Sequence, residues 1–106
     1  MEKSLRIGGK DVRMVANAAT PRVYRSCFKK DLFIGMQHAI NEDNEVTDFE
    51  VFENLAYVMA VQGGLKESVD DWLAGFDSPT AVIEAIPEII ELWADNTAAA
   101  SSGKKK

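Results

Sequence analysis

The sequence predicts a mainly α-helical fold in which an N-terminal two-stranded β-hairpin packs on a compact bundle of about four to five helices. Three observations lead to this prediction. Apolar residues alternate on both sides of a Gly-Gly pair, apolar residues recur at helical spacing through most of the remaining chain, and helix-start signals divide that remainder into segments. A chain of 106 residues has room for one core, so a single domain is expected over residues 1–96.

The hairpin is predicted over residues 4–16. Gly8 and Gly9 stand at its centre and can adopt the positive φ of a tight two-residue turn. The alternating apolar residues are Leu5, Ile7, Val12 and Met14. Because two strands alone are marginally stable in water, their apolar face is expected to lie against the helices.

The first helix is predicted over about residues 21–40. Thr20 is expected to cap it, and Pro21 has the fixed φ and missing N–H that suit the first helical position. The residues expected to pack this helix are Tyr24, Phe28 and Leu32. The basic residues on its opposite face are Arg22, Lys29 and Lys30. Phe33 falls on that charged side, whereas Asp31 falls inside the apolar arc, where the pattern does not explain it.

The second helix is predicted over about residues 47–62. Thr47 and Glu50 have the spacing of a capping box, and Gly63-Gly64 supply the backbone freedom common just after a helix. Phe52 belongs to the apolar arc of this helix. Tyr57 points the other way, among polar residues, and is therefore predicted to face outward.

Three short helices are predicted in the C-terminal part of the chain, at about residues 68–76, 79–85 and 87–95. Ser68 is expected to cap the first, with Trp72 and Phe76 facing inward, and Ser78-Pro79 is expected to start the second. Pro87 separates the second from the third because proline is not accommodated inside a helix. The core candidates of the last helix are Ile86, Ile90 and Trp93. Residues 97–106 are small or basic and are expected to form a flexible tail.

Few residues suggest catalysis or a bound metal, and we expect a noncatalytic protein without cofactor or metal. Cys27 and His38 lie eleven residues apart on the predicted first helix, about 16 Å along its axis, which is too far for a dyad. They are interpreted as a packed thiol and a boundary histidine. The acidic segment 41–45 lacks the glycine and the final glutamate of an EF-hand loop.

The net charge of −5 conceals a division along the chain. Residues 1–40 carry eight Lys/Arg and three Asp/Glu, whereas residues 41–97 carry one Lys and fourteen Asp/Glu. This division indicates either an interaction surface or two halves that attract each other within the fold. The acidic part disfavours nucleic-acid binding, which is not expected. No apolar run is long enough to cross a bilayer and no secretory signal is evident, so a cytoplasmic protein without membrane contact is expected.

A protein-binding surface is the remaining hypothesis. Its candidate residues are Arg22, Lys29, Lys30, Phe33 and Tyr57. The two aromatic residues among them are predicted to face outward, and exposed aromatic side chains are common anchors of interfaces. The alternative is that the hairpin or the C-terminal helices cover them.

The run Ala-Thr-Pro-Arg-x-Tyr-Arg-x-x-Phe-x-x-Asp-Leu at residues 19–32 resembles the small tail assembly chaperones of long-tailed phages and prophages of Gram-positive bacteria. Three later segments resemble the same family in order and spacing. They are Ala-Tyr-Val-Met-Ala at 56–60, Trp-Leu-x-x-Phe at 72–76, and Ile-Pro-Glu-Ile-Ile-Glu-Leu-Trp at 86–93. The resemblance covers most of residues 5–95.

The resemblance implies a noncatalytic protein that acts in the host cytoplasm during tail assembly and is not expected in the mature virion. It implies binding to the tape measure protein, in several copies, until tail-tube subunits displace the chaperone. Many members of this family also make a longer product by ribosomal frameshifting, and the Gly-Lys-Lys-Lys end suggests such a site here. The alternatives are a small helical adaptor or virion connector and, less favoured by the charge, a nucleic-acid-binding regulator.

Overall fold

Two strands and six helices follow one another along the chain in the computed structural model, which describes residues 2–43 and 45–94. The strands are β1 (Glu2–Ile7) and β2 (Lys10–Val15). The helices are α1 (Thr20–Phe28), α2 (Leu32–Ala39), α3 (Phe49–Gln62), α4 (Val69–Ala74), α5 (Ala81–Glu84) and α6, described over 86–94. The predicted fold class, a mainly α protein with an N-terminal hairpin, is confirmed.

The hairpin forms as the alternating pattern predicts. The strands β1 and β2 pair in antiparallel orientation, with Leu5 opposite Val12. Gly8 and Gly9 have φ values of +57° and +81°, which suit the type I′ turn that matches the twist of two paired strands. The buried side chains of the hairpin are Leu5, Ile7 and Met14, whereas Val12 is half-buried. The apolar face of the hairpin therefore lies against the helices.

Helix α3 is the centre of the core. Nine of its fourteen residues are buried, and the strand β2 and the helices α1, α2, α4 and α5 all contact it. Phe52 is fully buried, as predicted. A helix surrounded in this way has no consistently polar face, and for that reason the one-sided pattern assumed from the sequence does not describe it.

The first predicted helix is two helices, and its prediction as one continuous segment over 21–40 is wrong. Helix α1 ends at Phe28 and is followed by Lys29, whose φ of +59° is left-handed and whose N–H donates to the Arg25 carbonyl. Helix α2 then begins after Asp31, whose carboxylate accepts a hydrogen bond of 2.9 Å from the Ile34 N–H. Asp31 is thus an N-cap residue, and this explains its place in the apolar arc. Tyr24 and Leu32 are buried and Phe28 is half-buried, as expected.

Removing the Asp31 cap is expected to destabilise the protein. Asp31→Ala should lower the free energy of unfolding by about 1 kcal/mol, because the first N–H groups of α2 lose an acceptor. Asp31→Asn is the matched control, since asparagine caps helices about as well as aspartate, and it should stay close to the wild type. Urea denaturation measures both. Equal loss in the two variants would point to the charge instead of the cap.

The start of α1 differs from its prediction in one respect. The N-cap position is Ala19, without a side-chain capping bond, so the assignment of Thr20 as the cap is wrong. The Thr20 hydroxyl instead accepts from the Asn17 N–H at 2.9 Å and donates to the Gln62 side chain at 2.6 Å. Pro21 lies in the first turn, as predicted. Thr20 therefore joins the start of α1 to the end of α3.

The start of α3 also differs from its prediction. Asp48 is the N-cap residue, and its carboxylate accepts from the Glu50 N–H at 3.0 Å, so the predicted capping box of Thr47 and Glu50 is wrong. The Thr47 hydroxyl instead donates to the His38 carbonyl at 3.1 Å. At the other end, Gly64 has a φ of +117°, the backbone conformation expected after the helix.

The C-terminal helices agree in part with prediction. Ser68 caps α4, Trp72 is buried and Phe76 is half-buried. The predicted start of α5 at Ser78-Pro79 is wrong, because the helix begins two residues later, after Thr80. On α6 the buried residues are Ile86, Ile89 and Leu92, whereas Ile90 and Trp93 are half-buried. The flexible tail predicted over 97–106 lies outside the described residues.

Candidate functional site

Four of the predicted site residues lie on the surface, on α1, on α2 and in the connection between these helices. We call Arg22, Lys29, Lys30 and Phe33 the basic-aromatic surface. Arg22 and Lys29 are seven residues apart, which is close to two helical turns, so they lie on the same side of α1. All four residues are exposed, and the Phe33 side chain retains 54% of its accessible surface.

Phe33 is exposed because of how α2 packs. Leu32 and Ala39 are the buried residues of this helix, and Gly35 lies where an added methyl group would meet the Val51 side chain at 3.6 Å. These contacts turn α2 so that Phe33 faces outward, with its ring centroid 5.9 Å from that of Trp93. Ile34 is 57% exposed beside it. The prediction that Phe33 faces outward is therefore confirmed, with α6 covering only part of it.

The basic residues of this surface are not neutralised by ion pairs with the acidic part of the protein. Among residues 2–43 and 45–94, the ion pairs are Arg6 with Asp11 and Arg13 with Glu2, and both lie within the hairpin. No such pair joins the basic-aromatic surface to the helices that follow it.

Tyr57 is not part of this surface, and the prediction that it faces outward is wrong. Its side chain is 9% exposed and its hydroxyl donates to the Glu67 carbonyl at 2.7 Å. Burial raises the pKa of the Tyr57 phenol. The ring centroids of Phe28 and Trp72 lie 6.1 Å and 5.9 Å from that of Tyr57. The alternative, that a C-terminal helix covers this residue, is correct, because α4 does so.

Tyr57 is the middle of a connected row of aromatic rings. The row runs through Tyr24, Phe28, Tyr57, Trp72 and Phe76, with neighbouring centroids 5.1–6.1 Å apart. Such distances are typical of stabilising aromatic pairs. This row joins α1, α3 and α4, so these residues support the fold and are distinct from the basic-aromatic surface.

The two residues considered for nucleophilic chemistry lie on different helices. Cys27 is on α1 and is exposed, so its interpretation as a packed thiol is wrong. His38 is on α2 and is also exposed, so the axial distance calculated for a single helix does not apply. Within the residues that the structure describes, no group of three or more His, Cys, Asp or Glu side chains is arranged to hold a metal ion.

A groove of about 310 Å³, which no sequence pattern predicts, lies between β2, the end of α3 and α4. Residues on its walls include Val12, Arg13, Leu65, Glu67, Trp72 and Phe76. Across it, the Lys10 ammonium donates to the Gly75 carbonyl at 2.7 Å and lies 5.4 Å from the Phe76 ring centroid. This contact joins residues 65 positions apart, and no local pattern predicts such a contact. The contact of Lys10 with Gly75 and Phe76 connects the hairpin to the end of α4.

A second cavity, of about 290 Å³, lies between α3 and the segment from α4 to α5. We call it the Glu53 cavity, and its walls include Glu53, Leu73, Phe76, Ser78, Pro79 and Val82. Burial, with a smaller contribution from the negative charge of Glu50, raises the pKa of the Glu53 carboxyl. Glu53 was assigned no role from the sequence, because only the folded chain places apolar residues around it.

The raised pKa of Glu53 has a consequence for stability. The folded protein holds the Glu53 proton to a higher pH than the unfolded chain, whose carboxyl titrates near 4.5, so stability falls as the pH rises through this interval. Glu53→Gln should therefore raise the melting temperature at pH 7 by about 2 °C, a small gain because the carboxyl is partly solvated. At a pH well below 4.5 the two proteins should melt together. Calorimetry checks this, with Glu88→Gln on α6 as the control for loss of an exposed charge.

Comparisons with protein-family models, with curated proteins and with solved structures found no match. The likeness to tail assembly chaperones therefore rests on the sequence motifs quoted above. Within the described part of the chain, no helix is both long and apolar enough to cross a membrane. The arrangement of the basic-aromatic surface is the geometric evidence that bears on function.

Proposed function

We propose that this protein is a noncatalytic phage tail assembly chaperone that binds the tape measure protein through the basic-aromatic surface. The observation that carries the proposal is an exposed aromatic side chain, Phe33, that follows Lys29 and Lys30 closely in the chain, two cations that no described acidic residue pairs with. The resemblance of residues 19–32 to that chaperone family supplies the identity of the partner. Both the surface and the partner are testable separately.

The surface suits reversible binding to an amphipathic helix. Burial of the Phe33 ring would remove apolar area from water, which favours association. Lys29 and Lys30 stand immediately before α2 and would attract acidic residues beside an apolar stripe, which raises the rate of encounter more than the affinity. A small apolar anchor gives moderate affinity, and such affinity allows tail-tube subunits to displace the chaperone. Several copies along one tape measure protein would shield its apolar stripes from aggregation.

The test is coexpression of the tape measure protein with variants of this chain. The wild type should keep the tape measure protein soluble and copurify with it. Phe33→Ser and the double variant Lys29→Glu/Lys30→Glu should each weaken binding by about tenfold or more, with melting temperatures close to the wild type. The matched controls are Phe49→Ser, an exposed phenylalanine outside the surface, and Lys3→Glu/Lys66→Glu, which reverses two other exposed charges.

The outcomes separate the proposed partner from the proposed surface. If the wild type neither binds nor solubilises the tape measure protein, the chaperone function is wrong. If it binds but the surface variants bind equally well, the function stands and the surface is wrong. Presence of the protein in purified virions at stoichiometric levels would instead indicate the adaptor or virion connector. Gel shifts with steep salt dependence, lost in Lys29→Glu/Lys30→Glu, would indicate the nucleic-acid-binding regulator.

A further inference from the structure

We propose that the Glu53 cavity binds the ammonium or guanidinium group of a lysine or arginine side chain from a partner protein. This inference concerns a different site from the basic-aromatic surface and does not depend on the proposed function. It rests on the size of the cavity, on a lining that combines apolar side chains with a carboxylate, and on the lack of a counterion for that carboxylate within the described residues.

The size of the cavity restricts what it can hold. Its volume of about 290 Å³ is at the lower limit of small-molecule pockets, which span roughly 300–1,000 Å³. A single long side chain suits this space better than a cofactor. Leu73, Phe76, Pro79 and Val82 supply the apolar part of its lining, which matches the aliphatic stem of lysine or arginine. Glu53 and Ser78 supply polar groups.

The carboxylate of Glu53 is available to such a group. It makes no hydrogen bond or ion pair with any other described residue, although it is half-buried. The Ser78 hydroxyl, which also lines the cavity, is in contact with the Thr80 hydroxyl at 3.1 Å. Lys10 contacts the same Phe76 ring, but its ammonium is bound to the Gly75 carbonyl and does not line this cavity.

The charge around the cavity selects a cation over other ligands. Glu50 lies one helical turn before Glu53 and adds to the negative potential, so an anion is repelled. A neutral apolar ligand would remove the remaining water from the carboxylate without replacing its interactions, and this is unfavourable. A cation restores a partner to Glu53, and the Phe76 ring in the wall can add a cation–π contact.

Nuclear magnetic resonance of the full chain tests this inference with n-butylammonium and N-methylguanidinium as probes. Both should cause saturable shift changes in the amides of residues 73–82 and should lower the pKa of the Glu53 carboxyl, because the bound cation stabilises its charged form. n-Butanol, which has the same stem without the charge, should bind at least about tenfold more weakly. Glu53→Gln should abolish the saturable response, whereas Glu88→Gln should retain it.

Sedimentation over a range of protein concentrations distinguishes the two sources of the cation. Self-association that Glu53→Gln abolishes would identify the basic side chain as one from a second copy of this chain. A monomer that still binds the probes would exclude a second copy as the source of the cation. Probe shifts that do not saturate, or that persist unchanged in Glu53→Gln, would overturn the inference. The Glu53→Gln protein must give a native spectrum, which is expected because its side chain has nearly the same shape.

Discussion

Gly63→Ala should lower the free energy of unfolding by about 3 kcal/mol, one of the largest effects expected for a single methyl group in this protein. A β-carbon at position 63 would overlap the Arg13 carbonyl oxygen and lie 2.9 Å from its carbonyl carbon. Both atoms belong to the backbone of β2, so no side chain can rotate away. The φ of −82° at Gly63 is favourable for alanine, and the cost therefore comes from the close approach of the hairpin to the end of α3.

Gly35→Ala is the matched control, and its expected effect on the free energy of unfolding has the opposite sign. Its β-carbon would meet the Val51 side chain at 3.6 Å, an ordinary van der Waals distance. Because glycine inside a helix costs about 0.5–1 kcal/mol relative to alanine, Gly35→Ala should stabilise the protein by a similar amount. Urea denaturation of both variants provides the comparison. If Gly63→Ala were as stable as the wild type, the hairpin would not pack against α3 as described.

Tyr57→Ala should lower the free energy of unfolding by about 3–4 kcal/mol, because it removes the central ring of the aromatic row and leaves a cavity between α1, α3 and α4. Tyr57→Phe retains the ring and loses only the hydrogen bond to the Glu67 carbonyl, so its expected cost is about 1 kcal/mol. Urea denaturation at a fixed pH below the phenol titration measures both losses.

A comparison with Phe33 separates the contributions of a buried and an exposed aromatic residue to the free energy of unfolding. Phe33→Ser should leave the free energy of unfolding within about 1 kcal/mol of the wild type, because much of its ring is in water in the folded protein. A small loss for Tyr57→Ala would contradict the burial of Tyr57, and it would restore that residue as a candidate for partner contact.

Local signals in the sequence predicted several elements correctly. The hairpin followed from alternation around Gly8-Gly9, and α4 followed from Ser68 as its cap. Both depend on residues within a few positions of one another. The helix break at Lys29 was missed because the arc of apolar residues continues through it, although Asp31 was the residue that did not fit. An unexplained aspartate in an apolar arc was the signal of a new helix start.

The candidate sites were predictable to different degrees. Exposure of Phe33 followed from its place on the charged side, whereas burial of Tyr57 depends on α4, which arrives from later in the chain. The Glu53 cavity was not predictable, because its walls come from α3 and from the segment 73–82. Helical periodicity tells which residues share a face, but it does not tell which other element covers that face.

The contacts of the N-terminal residues with distant helices have a consequence for the order in which this protein folds. Arg13 donates to Gly63, Thr20 to Gln62 and Lys10 to Gly75, over separations of 42–65 residues. The hairpin is synthesised before all three of these partners, and its apolar face can pack against α3 only after residue 62 has been synthesised. Two strands alone are marginally stable in water, so the hairpin is expected to become stable only together with the helices that cover it.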